Sequence, residues 1–219
     1  MISATSIITK LERLYDPPKS FLNWKTPLDL TIATVLSAQC TDERVNMVTK
    51  ELFKKCRKAQ DYIDLPQREL EKIIRPCGTF RVKTKYIKGL SKIISEQHKG
   101  HFDKAQCGQV PRTMEELVKL PGVGRKTAAI ILYAAFNKLE GIAVDTHVMR
   151  LSQRLGLTKH STPEKIEKDL MKIIPKKHWG RFNTLMVSHG REVCTARNRK
   201  CEKCVFKAKC PASQIKPKM

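Results

Sequence analysis

Leu120-Pro121-Gly122-Val123-Gly124-Arg125-Lys126-Thr127 separates two segments that carry helical signatures. Before it, Thr113-Met114-Glu115-Glu116 has the T-x-x-E form in which a threonine and a glutamate cap a helix start reciprocally. After it, Ala128, Ile131, Leu132, Ala135 and Phe136 recur with the helical period as one apolar flank. Two helices joined by a tight turn with glycines at alternate positions make a helix-hairpin-helix. Gly122 and Gly124 are expected to take backbone angles closed to other residues, bringing the main chain close to a ligand. The N–H groups at the start of the second helix then point at a phosphate. An ordinary interhelical turn looks the same, so the segment alone fixes local structure rather than function.

Outward from the hairpin, the periodicity stays helical. Leu28, Ile32, Val35 and Leu36 mark one helix face, and Val45, Val48 and Leu52 mark another behind the N-cap pair Thr41-Asp42. Tyr86, Ile87, Leu90, Ile93 and Ile94 form a third face, with Gly100 as its expected C-terminal stop. Ser161-Thr162-Pro163-Glu164 reads as a helix start, followed by Ile166, Leu170, Ile173 and Ile174 as the buried side. Alternating strand patterns bounded by Asn-Gly or Asp-Gly turns are absent. The fold class expected is all-α.

The 219 residues suffice for one large or two small domains, and 41% hydrophobic content predicts a globular chain rather than disorder. No run approaches the ~20 apolar residues of a membrane span. The start, Met1 to Lys10, lacks the basic-then-apolar pattern of a secretory signal, so an intracellular protein is expected. Forty-three Lys and Arg against 21 Asp and Glu leave a formal charge of +22. Such an excess repels itself and favours a polyanionic partner, of which nucleic acid is the commonest.

Three further features bear on chemistry. Lys126 stands at the start of the second hairpin helix, and Val144-Asp145-Thr146-His147 supplies a carboxylate downstream. A lysine attacks an electrophilic carbon only when neutral; a helix N-terminus, partial burial and a neighbouring Arg125 all favour loss of its proton. A carboxylate could accept that proton or stabilise positive charge developing on a sugar ring. Equally, Lys126 could be a phosphate contact and Asp145 a helix cap ahead of Val148, Leu151 and Leu155. The third feature is cysteine. Of eight, Cys40, Cys56, Cys77 and Cys107 are scattered and read as packing residues. Cys194, Cys201, Cys204 and Cys210 fall in one stretch, a metal pattern in a reducing compartment. Spacing leaves zinc and an iron–sulfur cluster both open. The tail from Cys194 is strongly basic, with Glu202 its one acidic residue, and Gln214 to Met219 are expected to be disordered.

Taken together, Leu120 to Thr127, Val144 to His147, Leu36-Ser37-Ala38-Gln39 and the C-x6-C-x2-C-x5-C array resemble the endonuclease III family of helix-hairpin-helix DNA glycosylases, in order and through essentially the whole chain. That resemblance implies two helical domains flanking a DNA-binding cleft. One, residues 20–138, would be a helical barrel with the hairpin; the other, residues 1–19 with 139–219, would hold a [4Fe–4S] cluster on Cys194, Cys201, Cys204 and Cys210. It implies a monomeric enzyme of base excision repair that acts on double-stranded DNA containing damaged bases or abasic sites. Oxidised or ring-saturated pyrimidines are the implied substrates. Lys126 would attack C1′ of a flipped-out nucleotide, Asp145 would assist base departure, and β-elimination would then nick the strand. Gln39 would enter the vacated space, with Gly122, Gly124, Arg125, His147, Arg197, Arg199 and Lys200 as further DNA contacts. A monofunctional mismatch glycosylase and a non-catalytic hairpin module are the alternatives; Lys126 and the short tail speak against the first, and the pairing of Lys126 with Asp145 against the second. The chain departs from the family at Gly78-Thr79-Phe80-Arg81, where a leucine wedge is usual, so Thr79 or Phe80 would take that place. Asn137 to Gly141 is also about one residue longer than in many relatives.

Overall fold

A computed structural model describes residues 2–96 and 110–215. Gly100 and Cys107 lie outside the described residues. Eleven α-helices and several short 3₁₀ turns are found among the described residues, and no strand. The chain divides into two units, Phe21–Lys138 and Met1–Ser20 with Leu139–Met219.

The unit Phe21–Lys138 is built around α2 (Pro27–Leu36). Thr26 and Asp29 form a capping box at its start, with Pro27 in the first turn where its missing N–H costs nothing. Every residue from Leu28 to Leu36 is buried, so α2 is a core helix rather than an amphipathic one with a single inward face. The hydroxyls of Thr31 and Thr34 are accommodated by donating to Pro27 O (2.8 Å) and Leu30 O (2.6 Å) one turn back. Around α2 pack α3 (Asp42–Lys55), α6 (Phe80–Glu96) and α8 (Arg125–Phe136). The short helices α4 (Ala59–Asp64) and α5 (Gln67–Ile74) lie against α6. Thr41 caps α3 through Arg44 N, as its sequence suggests. The single-turn α7 (Met114–Leu117) precedes the hairpin, and here the box is modified. Thr113 Oγ1 accepts from Glu116 N but donates its own hydrogen to the Glu116 carboxylate, which leaves the reciprocal bond unmade.

In the other unit, α1 (Ala4–Leu14), α9 (Thr146–Arg154), α10 (Pro163–Ile173) and α11 (Trp179–Glu192) share a core of Ile7, Leu11, Leu151, Ile166, Phe182 and Phe206. Two details differ from the periodicity reading. Ile173 is exposed: α10 ends there, and the chain turns Ile174 into the core in its place. Thr162 is the N-cap of α10 but makes no side-chain cap bond, leaving Pro163 as the start signal.

Candidate nucleic-acid interface and cysteine site

The hairpin turn is set by one glycine, not two. Gly122 has φ +78°, and a Cβ there would lie 2.8 Å from Tyr86 Cδ2, so α6 packs directly on the turn. This explains why Tyr86 is partly exposed: its ring lies over Gly122 at the surface instead of entering the core. Gly124, by contrast, has φ −88°, open to any residue, and nothing lies within 4 Å of where its Cβ would be. It is the N-cap of α8 and has no side chain to cap with, so no N-cap side chain occupies the positive end of that helix. Arg125 and Lys126 are the first two residues of α8, and both are exposed. The expected partial burial of Lys126 is not seen within its unit.

Two more loops of this unit carry sequence-nominated residues. Gln39 (φ +53°) and Thr79 (φ +42°) adopt the left-handed region that non-glycine residues rarely occupy, and both are exposed. Phe80 is half-buried and packs against the core cluster, so Thr79 is the outward residue of that pair. The loops meet at Lys83, a buried residue the sequence reading passed over. Its ammonium donates to Leu36 O (2.8 Å), Ala38 O (2.7 Å) and Cys77 O (2.8 Å). Burial holds this lysine below the usual ammonium range. Cys77 is pushed up to about 12 by burial and by the adjacent Cys40 thiol. Cys56 and Cys77 are buried packing residues as expected, whereas Cys40 is only partly covered.

In the other unit, Asp145 is the N-cap of α9: its Oδ1 accepts from His147 N and Val148 N, both at 2.8 Å. The capping role is therefore real, and it commits one carboxylate oxygen while fixing the other in direction. The extended stretch before it is pinned by two buried groups that sequence pattern did not reveal. Asn183 Nδ2 donates to Ala143 O (2.9 Å), and Glu167 Oε1 accepts from Ile142 N (3.3 Å). The His147 imidazole sits beside Arg150 and over Gly190 of α11, where any Cβ would meet it at 2.5 Å.

Cys194, Cys201, Cys204 and Cys210 line one cavity with Leu151, Leu155 and Val193. Among the described residues no group of three Cys, His, Asp or Glu is found that could hold a metal ion, and all four thiols line this one cavity. Burial and the other three cysteines raise the Cys204 thiol; Cys210 is raised for similar reasons. Two nitrogens face the sulfurs: Arg154 Nη1 donates to Cys194 Sγ at 3.3 Å, and His189 Nε2 lies 3.5 Å from Cys204 Sγ. His189 is buried, which lowers it to about 4 and keeps the ring neutral. Within the loop, Arg197 and Lys200 are exposed. Arg199 instead turns inward to donate to Ala212 O at 2.8 Å.

Residues 32–176 match the model of the HhH-GPD superfamily of base excision DNA repair proteins. Endonuclease III of Synechocystis sp. is 47% identical, covering 96% of this chain and 93% of its own. Endonuclease III of Bacillus subtilis is 40% identical over the same shares. Among solved structures, a trapped endonuclease III–DNA covalent intermediate superposes with a TM-score of 0.85 at 41% identity, covering 97% of each chain. A thermostable thymine-DNA glycosylase, 23% identical with a TM-score of 0.79, shares the fold. No described helix is long and apolar enough to cross a membrane. The chain belongs to the HhH-GPD superfamily of base excision DNA repair proteins and, within it, to the endonuclease III family.

Proposed function

We propose that this protein is a DNA glycosylase with apurinic/apyrimidinic lyase activity, acting as a monomer on oxidised or ring-saturated pyrimidines in duplex DNA, and that Lys126 is its nucleophile. The observation that carries the reading is an exposed lysine at the second position of a helix whose uncapped N-terminus follows the hairpin glycine. The likeness to a relative trapped as a covalent endonuclease III–DNA intermediate supports it. Helix-terminal N–H groups at Gly124 and Arg125 bind the phosphate beside the lesion, and their positive potential helps the Lys126 amine lose its proton.

The chemistry then runs in three steps. The neutral amine attacks C1′ of an extruded nucleotide as the glycosidic bond breaks, and the base leaves with that electron pair. Asp145 Oδ2, with Oδ1 committed to the helix cap, accepts the proton from the attacking nitrogen. Ring opening, in which Asp145 returns that proton to the departing O4′, gives a protonated imine, which acidifies the C2′ hydrogen; water takes the C2′ proton, and the freed electron pair expels the 3′ phosphate and nicks the strand. Gln39 and Thr79 occupy the space the nucleotide leaves. Arg125, Arg197 and Lys200 supply phosphate contacts that carry register rather than sequence.

The donor set of the second unit fits a [4Fe–4S] cluster held by Cys194, Cys201, Cys204 and Cys210. Four thiols around one cavity with apolar walls are the donor set such a cluster takes, and Arg154 and His189 can donate to sulfur. When bound, the cluster cross-links the loop between Cys194 and Cys210 and stiffens the basic surface it carries.

Borohydride reduction during turnover tests the reading, because it converts an imine to a stable amine. Trapping of abasic DNA is expected for the unmodified protein and for Lys72→Gln, and not for Lys126→Gln. Undiminished trapping by Lys126→Gln overturns the assignment.

A further inference from the structure

Among the described residues, three non-glycines have positive φ: Gln39, Thr79 and Asn137. Asn137 is explained by its place as the left-handed C-cap of α8. Neither Gln39 nor Thr79 is a C-cap; Thr79 stands immediately before α6, where its carbonyl accepts from Val82 N and Lys83 N. They lie in separate loops, one after α2 and one before α6; the Cys40 and Cys77 thiols meet between those loops, and one further side chain binds both through three directed bonds.

That side chain is Lys83, 2% exposed, on the first turn of α6. Its backbone N–H bonds to Thr79 O at 3.1 Å, which ties it to one loop through the helix itself. Its ammonium has three hydrogens and three acceptors: Leu36 O and Ala38 O at the C-terminal end of α2, and Cys77 O beside Gly78. None of these is a carboxylate. The charge is met by carbonyl dipoles, including the negative end of α2. A buried ammonium satisfied this way is costly, and a methionine would fill the same volume without the desolvation. What an apolar residue could not do is fix two loops against each other through three directed bonds.

We infer that Lys83 is a positioning residue, whose ammonium holds the loop of Gln39 and the loop of Thr79 at one separation so that both enter the gap left by an extruded nucleotide together. The inference rests on the reading above that these loops fill the duplex. Lys83 itself touches no DNA; its effect reaches the lesion only through the loops.

Lys88 provides a matched control on the same helix. Its ammonium also collects three carbonyls, Tyr62 O (3.3 Å), Ile63 O (2.9 Å) and Leu65 O (2.6 Å), but these cap α4, away from either loop. The test compares the unmodified holoprotein with Lys83→Met, Lys83→Gln and Lys88→Met, each verified as folded by circular dichroism at the assay temperature. Two rates are read: single-turnover excision of a damaged pyrimidine from duplex DNA, and borohydride trapping on a preformed abasic site in single-stranded DNA, which has no stack to open. Lys83→Met is expected to slow excision by about 10- to 100-fold, the scale of a displacement near 1 Å. Trapping should change by less than about 3-fold. Lys83→Gln, which keeps two donors, should fall between, and it carries the test alone if the methionine variant does not fold. Lys88→Met should show no split between the two rates. Equal loss in both assays for the Lys83 variants, or no loss in either, overturns the inference. If the unmodified protein neither excises nor traps, it is the reading of the enzyme that has failed, and the clamp falls with it.

Discussion

Substituting Gly122 by alanine combines two separable penalties. At φ +78° an L-residue suffers its own backbone clash, about 1–2 kcal/mol. The new Cβ also meets Tyr86 at Cδ2 (2.8 Å), Cγ (3.0 Å) and Cβ (3.1 Å). The last of these is fixed by the backbone of α6, so the ring cannot swing fully clear, and either helix or hairpin must shift. Overpacking of this kind costs about 1–3 kcal/mol. The total of about 3 kcal/mol corresponds to a fall in Tm of roughly 6–12 °C for a chain of this size. A double-mutant cycle separates the parts. In a Tyr86→Ala background the Cδ2 and Cγ contacts are gone and only the 3.1 Å Cβ contact remains, so Gly122→Ala should cost about 2 kcal/mol, leaving an interaction energy of about 1 kcal/mol. Urea unfolding of the four proteins reads this directly. An equal cost in both backgrounds means that Tyr86 does not pack on the turn, and a cost below ~0.5 kcal/mol means that the turn does not need its glycine.

Asp145→Asn should keep the cap on α9 and stay within ~0.5 kcal/mol of the parent in urea, while Asp145→Ala should lose about 1 kcal/mol. Both should nearly abolish base release, and an active Asp145→Asn protein would refute a proton-accepting role. Asp29→Ala removes a buried acceptor of Lys25 N (3.1 Å) and Thr26 N (2.9 Å) at the head of the core helix. It should cost about 2 kcal/mol in urea without altering the trapping yield of the protein that remains folded. The pure protein should be brown, with absorbance near ~400 nm from iron–thiolate charge transfer, and Cys204→Ser should bleach it. A colourless preparation loaded with zinc contradicts the cluster. DNA affinity should fall linearly on a log–log plot against salt, and Lys200→Ala should make that slope shallower by about 1.

Much of this was written locally in the chain. The helix starts at Thr41 and Thr113 follow from cap chemistry, and the four clustered cysteines come together around one cavity. The hairpin was legible because alternate glycines stand between a capped helix start and an apolar helical flank, although only Gly122 needs to be glycine. What could not be read is long-range. Lys83 looks like any other lysine in a chain with 43 Lys and Arg; it is distinguished only when folding brings the ends of α2 and the Cys77 turn to it. Asn183 and Glu167 hold the approach to Asp145 across 40 and 25 residues of sequence, a distance no periodicity reports. Ile173 and Ile174 were indistinguishable by pattern, and the helix end decided which of them faces water. Arg199 was grouped with Arg197 and Lys200 by charge, yet its bond to Ala212 O depends on how the cysteine loop closes.

The claim beneath all of this is that one amine forms the bond to deoxyribose. Digesting the borohydride-reduced complex and sequencing the adduct peptide by mass spectrometry locates that bond without relying on a mutant. The sugar remnant should sit on the side chain of Lys126 in the peptide that spans the start of α8. An adduct on any other lysine, or on the terminal amine, contradicts the mechanism.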